Sequence, residues 1–220
     1  MIHRVPVTGG EPVLVAGGAE ATWAWSRPRF SRDGRTLFLL AEHLGESGLD
    51  FVGSAKAVAA LAVDAEPGTE PRILTDPVTS DYEAPWSFLE PFGEESVLAP
   101  ARVRGCGELH VISPEGRVHV LVKGPKVVSA AAERSGVSVA VVSEATRPME
   151  LARVAEGRLV RLTDFARPLV AAATPVEPRE LTIQGEDGND IHGWVFVPKG
   201  RGPHPDRKST RLNSSHQPLS

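Results

Sequence analysis

Short apolar runs recur along residues 1–173, each closed by a tight turn, and this punctuated repeat constrains the fold more than any other feature. The best-marked unit reads Pro28-Arg29-Phe30-Ser31-Arg32-Asp33-Gly34 and then Thr36-Leu37-Phe38-Leu39-Leu40-Ala41. A strand ends, Asp33-Gly34 turns the chain and a second strand begins, because the tight turn of a hairpin needs the positive φ that glycine supplies at low cost. Phe92-Gly93-Glu94-Glu95 before Ser96 and Glu133-Arg134-Ser135-Gly136 before Val137 repeat the layout. Further runs are expected as strands over 96–101, 109–112, 118–122, 127–132, 137–142, 149–154 and 159–162, with short closing runs at Arg72–Thr75 and Val160–Thr163. The run Ala57–Val63 is ambiguous, since alanine also favours helix. No helix is expected before Ala173. Nineteen prolines and 21 glycines supply the turns that an all-β chain requires.

The units recur at roughly 45 to 55 residues, the spacing of propeller blades. The expected fold class is therefore all-β, a partial β-propeller of about three blades over residues 1–173. A remnant precedes them, because the residues through Val13-Leu14-Val15 read as the closing strands of a blade whose opening is missing. The repeat argues against the rival β-sandwich.

Composition excludes several function classes. The formal net charge is -4, without the basic footprint of a nucleic-acid binder. No apolar run reaches membrane-spanning length, and Met1–Gly10 lacks the regions of a signal peptide. The single cysteine, Cys106, excludes an intrachain disulfide and makes a cytoplasmic location the default expectation.

After Ala173 the character changes. Thr174-Pro175-Val176-Glu177-Pro178 is a stiff connector. The stretch RELTIQGEDGNDIHGWVFVP over 179–198 is a strand, an Asp187-Gly188 turn and a second strand. Ile191, Val195 and Val197 share one face, and His192, Trp194 and Phe196 the other, so both faces carry large apolar groups and a larger structure is expected around the hairpin. A last blade ending Arg161-Leu162-Thr163-Asp164-Phe165, followed by this hairpin and a loop ending His204-Pro205, resembles the domain junction of serine peptidases of the prolyl oligopeptidase family. The resemblance is to the acylaminoacyl-peptidase and dipeptidyl-peptidase-like branch, and it covers nearly all of residues 1–205. It implies that residues 174–205 are a linker and the first β-hairpin of an α/β-hydrolase domain. It also implies that the propeller is a lid restricting entry to short peptides, with no metal or cofactor.

Residues 206–220, DRKSTRLNSSHQPLS, break the pattern. Back-translated, Asp206–His216 can be written as the codons of a common sequencing-library adapter. The segment is therefore expected to be adapter read-through rather than native coding sequence, with the natural gene continuing past Pro205.

The chemistry of such peptidases needs a serine on a sharp elbow, a histidine base, an orienting aspartate and an oxyanion loop. Neither a Gly-x-Ser-x-Gly elbow nor an HGGP-type loop occurs in these 220 residues, and no catalytic residue is assigned. This chain is expected to be inactive by itself. Ser214 and Ser215 lie in the suspected adapter. His110 and His119 fall on adjacent expected strands, but no third ligand has metal-site spacing, so both are read as partly exposed strand residues. His192 is read as packing at the junction, and Cys106 as a turn thiol without a visible base. Trp23, Trp25 and Trp86, near blade starts, are read as packing between blades rather than as substrate contacts. Glu90, Glu94 and Glu95, which by resemblance are placed to meet a peptide amino terminus, are read as solvated turn residues. A non-enzymatic TolB-like propeller is the alternative, and the hairpin after the last blade speaks against it. A propeller glycosidase needs paired acids across the channel, and no such pair is located. A partial propeller leaves apolar faces and strand edges uncovered, so poor solubility or aggregation is expected.

Overall fold

A computed structural model describes residues 1–18, 21–48, 54–83, 88–155, 157–173, 175–197 and 200. Residues 201–220, with the suspected adapter segment, and Trp86 lie outside the described residues.

The strands are β1 (Ile2–Arg4), β2 (Val13–Ala16), β3 (Trp23–Phe30), β4 (Thr36–His43), β5 (Lys56–Ala62), β6 (Arg72–Ile73), β7 (Glu90–Phe92), β8 (Ser96–Val103), β9 (Cys106–Ile112), β10 (Val118–Val122), β11 (Lys126–Arg134), β12 (Val137–Glu144), β13 (Arg147–Ala155) and β14 (Arg158–Arg161). A short helix α1 (Arg167–Ala172) and a hairpin of β15 (Arg179–Gln184) and β16 (Asp190–Val195) follow. β1 and β2 form a two-stranded sheet, and β3 to β6 a four-stranded antiparallel blade. β7 to β10 and β11 to β14 are two more antiparallel meanders, joined into one sheet where Val127 meets Gly107 in a parallel bridge. A Cβ on Gly107 would stand 3.0 Å from Val127 Cα, so only glycine lets the two blades approach there.

The stacking of blades explains the unbroken apolar runs. Phe38 and Leu40 of β4, with Val58 and Ala60 of β5, face the second blade's Val97, Ala99 and Ile112. Leu37, Leu39 and Ala41, with Ala57 and Ala59, face Ala16 and Trp25 on the other side. Both faces of β4 and β5 are thus covered, which a strand between two layers requires. The ambiguous run is a strand, and its small alanines allow close stacking. The third blade meets the second through Leu98, Leu109, Val128, Ala140 and Ala152. Each fully buried large side chain contributes about 1.5–3 kcal/mol.

Helix α1 corrects the expectation of none before Ala173. Pro168 stands in its first turn, where a missing N–H costs nothing, and Leu169-Val170-Ala171-Ala172 continue it. At six residues it is too short to show a helical period. Among the described residues, no helix is long and apolar enough to cross a membrane.

Candidate functional site

The hairpin β15–β16 docks on one end of the blades. Its six-residue register pairs Thr182 with His192 and Glu180 with Trp194, so these four side chains share a face. That face meets the β8–β9 turn, in which Arg104 (φ 48) and Gly105 (φ 75) both take the left-handed conformation of a two-residue hairpin turn. The Trp194 indole donates to the Arg104 carbonyl at 3.3 Å. The Arg104 guanidinium donates to the Thr182 hydroxyl at 3.1 Å and lies 3.5 Å from the Glu180 carboxylate. His192 Nε2 donates to Glu180 at 2.9 Å, and its ring stands edge-on to Trp194 at 5.5 Å. Any Cβ on Gly105 would lie 2.9 Å from the indole nitrogen. The connector is fastened as well: the Thr146 hydroxyl donates to Glu177 at 2.9 Å. The opposite face of the hairpin leaves Leu181, Ile183 and Ile191 exposed.

A pocket of about 300 Å³ lies along this seam, lined by Cys106, Lys126, Val127, Pro178, Trp194 and Phe196. Burial pushes the Cys106 thiol above its ordinary range, and Glu108 and Glu180 push the same way against Lys126. The thiol is therefore protonated at neutral pH and is no activated nucleophile. The Lys126 ammonium donates to the Lys123 carbonyl at 3.3 Å.

The crossover between the first two blades carries a buried polar cluster. Tyr82, the largest fully buried side chain among the described residues, is hydrogen-bonded to His110 Nδ1 at 2.9 Å. His110 Nε2 lies 3.0 Å from Glu108, which accepts. The Glu108 carboxylate can only accept, so Nε2 carries the hydrogen of that bond, and the Tyr82 hydroxyl engages the other ring nitrogen. Burial raises the phenol far above its usual range against the hydrogen bond it shares with Thr75, and the Glu108 charge adds to the rise. Around the cluster, the Asp81 carboxylate accepts the backbone N–H groups of Lys56 at 3.0 Å and Glu83 at 2.8 Å. Asp81 also pairs with Arg102 at 3.0 Å, and the Lys56 ammonium reaches Glu83 at 2.9 Å and Glu42 at 3.5 Å. Every group here satisfies another, which describes a fastening rather than a reactive centre.

The structure separates the residues weighed from the sequence. His110 faces Val120 across the ladder and His119 faces Val111, so the two histidines project from opposite faces. His119 is exposed, whereas His110 is buried, not partly exposed as expected. Trp25 is buried in the core between β1–β2 and the first blade, and Trp23 packs beside it with ring centroids 6.2 Å apart. Both lie within β3, the opening strand of the first blade. Glu90 is ion-paired with Arg29 across two neighbouring blades, while Glu94 and Glu95 are exposed in the β7–β8 turn. Ser214 and Ser215 are outside the described residues. Tyr82 gave no sequence signal: it follows a turn-rich segment without strand alternation.

No family model matches the chain, and no curated protein matches it. Solved structures do. The acylaminoacyl peptidase of Pyrococcus horikoshii aligns with TM-score 0.56 and 19% identity, over 77% of this chain and 24% of that one. A puromycin hydrolase aligns with TM-score 0.59 and 20% identity over 93% of this chain and 30% of that one. A puromycin-hydrolyzing peptidase of Mycobacterium tuberculosis gives 0.58 and 20% over 89% and 30%. The chain spans less than a third of the length of these proteins. At such identity the likeness shows the fold alone: the antiparallel sheets of this chain match the β-propeller domains of these peptidases.

Proposed function

We propose that this chain is the propeller part of a serine peptidase of the prolyl oligopeptidase type, and that residues 174–205 begin its hydrolase domain. The observation that carries this reading is the hairpin β15–β16, which follows the last blade through a proline-rich connector and is fastened to the blade ends by Trp194, Arg104 and Glu180. A free-standing interaction propeller has no need of such a hairpin. In this reading the blades form a wall over the hydrolase site and admit short peptides by size. The Arg104–Trp194 seam holds that wall in register with the site. The serine, its histidine base and the orienting aspartate belong to the hydrolase domain, and no metal or cofactor is invoked. The 220 residues by themselves are expected to be inactive.

The test is to sequence the source DNA past the codon for Pro205 and to assay the encoded protein on short peptides. The reading expects an apolar strand, an HGGP-type loop and a later Gly-x-Ser-x-Gly, with hydrolysis that a serine-directed inhibitor abolishes. A gene that instead encodes Asp206–Ser220 in place, or stops early, makes the non-enzymatic propeller the better account. Inhibitor-sensitive hydrolysis by the 220-residue chain alone would overturn the inactivity.

A further inference from the structure

The opening strands of the three blades, β3, β7 and β11, form the concave edge of the row. β7 lies against both of the others, and Arg29 of β3 is ion-paired with Glu90 of β7. Just beyond β3, Arg32 of the first blade reaches past the second blade to Glu133 of β11 at 3.0 Å. Blades can meet in that way only where their edges converge. Six ionisable side chains stand on these strands: the cations Arg27, Arg29, Lys126 and Arg134, and the acids Glu90 and Glu133. Both acids are engaged, Glu90 by Arg29 and Glu133 by Arg32. The edge is therefore basic in a chain whose formal net charge is -4.

Arg27 is the residue that the backbone singles out. Ser26 and Arg29, three apart, stand opposite Leu40 and Phe38 of β4, two apart, so β3 carries one residue more than its partner. Such a β-bulge leaves the extra residue out of the ladder and re-aims its side chain. Arg27 takes the left-handed conformation at φ 54, uncommon for a residue with a Cβ. Pro28 follows, and the residue before a proline is driven toward extended backbone, so the conformation is doubly strained. Trp25 lies on the face toward β1–β2 and Arg29 on the face toward the second blade. Arg27 is exposed between them, on the edge of β3 that pairs with no strand of its own sheet. This placement follows from the register of β3 on β4, within a single blade. Strain held in one place by well-packed strands is a mark of function.

We propose that Arg27 selects substrates by charge: it is a cation on the inner edge of the blades that draws in peptides bearing a carboxylate. The proposal rests on the peptidase reading and deepens it, adding charge to size as what the blades select. β8 runs from the turn at Gly93, which meets Glu133, to the turn at Arg104, which holds the hairpin. The basic edge thus lies along the way from the outer turns to the hydrolase side. A cation on a passage with low-dielectric walls raises the local concentration of anions and their rate of arrival.

The test uses the full-length product of the source gene and short peptides that differ only in carrying Glu, Gln or Lys away from the cleaved bond. Each is made with a free and with an amidated carboxyl terminus. The readout is the ratio of kcat/KM for the Glu peptide to that for the Lys peptide. The expected wild-type ratio is about tenfold in favour of Glu, at the low end of electrostatic steering, and it shrinks as salt is raised. Arg27→Gly removes the cation, and glycine takes the left-handed conformation freely, so the fold is spared. It is expected to bring the ratio toward one, Arg27→Lys to restore it, and Arg27→Glu to invert it. A preference confined to free termini assigns the terminal carboxylate as the group drawn in, and one that survives amidation assigns the acidic side chain. Hydrolysis with the same ratio in wild type, Arg27→Gly and Arg27→Glu overturns this inference and leaves the peptidase reading standing. A full-length product that hydrolyses none of the peptides overturns both.

Discussion

Arg32 and Glu133, 101 residues apart, join the first blade to the third: Nη1 donates to the Glu133 carboxylate at 3.0 Å and Nη2 to its backbone carbonyl at 2.9 Å. The same carboxylate accepts Gly93 N–H at 3.1 Å and Gly136 N–H at 2.7 Å, so turns from all three blades converge on one side chain that is 4% exposed. Removing it leaves two backbone donors without their acceptor, while the exposed Arg32 guanidinium returns to water. Glu133→Ala is expected to lower stability by about 1–2 kcal/mol, chiefly from the lost backbone hydrogen bonds. Arg32→Ala leaves the two backbone donors in place and is expected to cost less. Urea midpoints of both variants and the double variant check this. A double variant whose loss equals the sum of the singles would show that the two residues do not couple.

Acid is expected to loosen the chain from two points. Burial alone would raise the Glu133 carboxyl, but donation from Gly136, Gly93 and Arg32 outweighs it and holds the group below the usual carboxylate range. At Glu150 burial also pushes upward, and donation from Thr163, Ala166 and Phe165 with the nearby Arg147 charge again prevails. A carboxyl whose folded value is depressed stabilises the fold above its unfolded value near 4.5. That stabilisation fades as pH falls through the folded value. Stability is therefore expected to be flat near neutrality and to decline in the acid range below the ordinary carboxylate value. Glu133→Gln and Glu150→Gln are expected to start less stable and to show a shallower decline. Urea midpoints measured at neutral and acid pH decide it, and a wild-type chain equally stable at both would contradict the assignment.

Much of this was legible in the residues, and the illegible parts share a cause. The Asp33-Gly34 turn appears where the pair stands, with Gly34 at φ 72. The run Thr36–Ala41 is a strand covered on both faces, as its unbroken apolar character implies. The hairpin pairing from Arg179 to Val195 follows from alternation around Asp187-Gly188. Periodicity reports apolar burial and is silent on polar burial. Glu133, Glu150 and His110 are held by groups distant in sequence, which no local pattern encodes. The same limit hid the Arg104–Trp194 seam, whose partners are 90 residues apart.

Tyr82 is expected to anchor the crossover by its ring more than by its hydroxyl. Its side chain lies in the apolar cluster between the first two blades, with Phe38, Val58 and Ile112. Tyr82→Phe keeps that volume and removes the hydroxyl that both His110 Nδ1 and Thr75 engage, an expected loss of about 1–2 kcal/mol. Tyr82→Ala opens a cavity and is expected to cost about 3–5 kcal/mol. Thermal or urea unfolding ranks the two. Equal losses would mean that the hydrogen bonds of the hydroxyl, not the packing, carry the anchor.

The docked hairpin makes a prediction that a matched control isolates. Gly105→Ala forces a Cβ into a left-handed residue and also against the Trp194 indole, 2.9 Å away. Gly34→Ala imposes the same backbone strain at φ 72, but its Cβ would meet nothing within 4 Å. Both are expected to lose about 1–2 kcal/mol from the left-handed conformation alone. Only Gly105→Ala displaces Trp194 and frees the hairpin, so only it is expected to speed proteolysis of the connector between α1 and β15. Trp194→Ala should speed it too, without backbone strain, because the indole hydrogen bond to Arg104 and the edge contact with His192 are both lost. If Gly105→Ala and Gly34→Ala are cut at the same rate, the hairpin is not held to the blade ends in solution, and the seam that supports the peptidase reading falls with it.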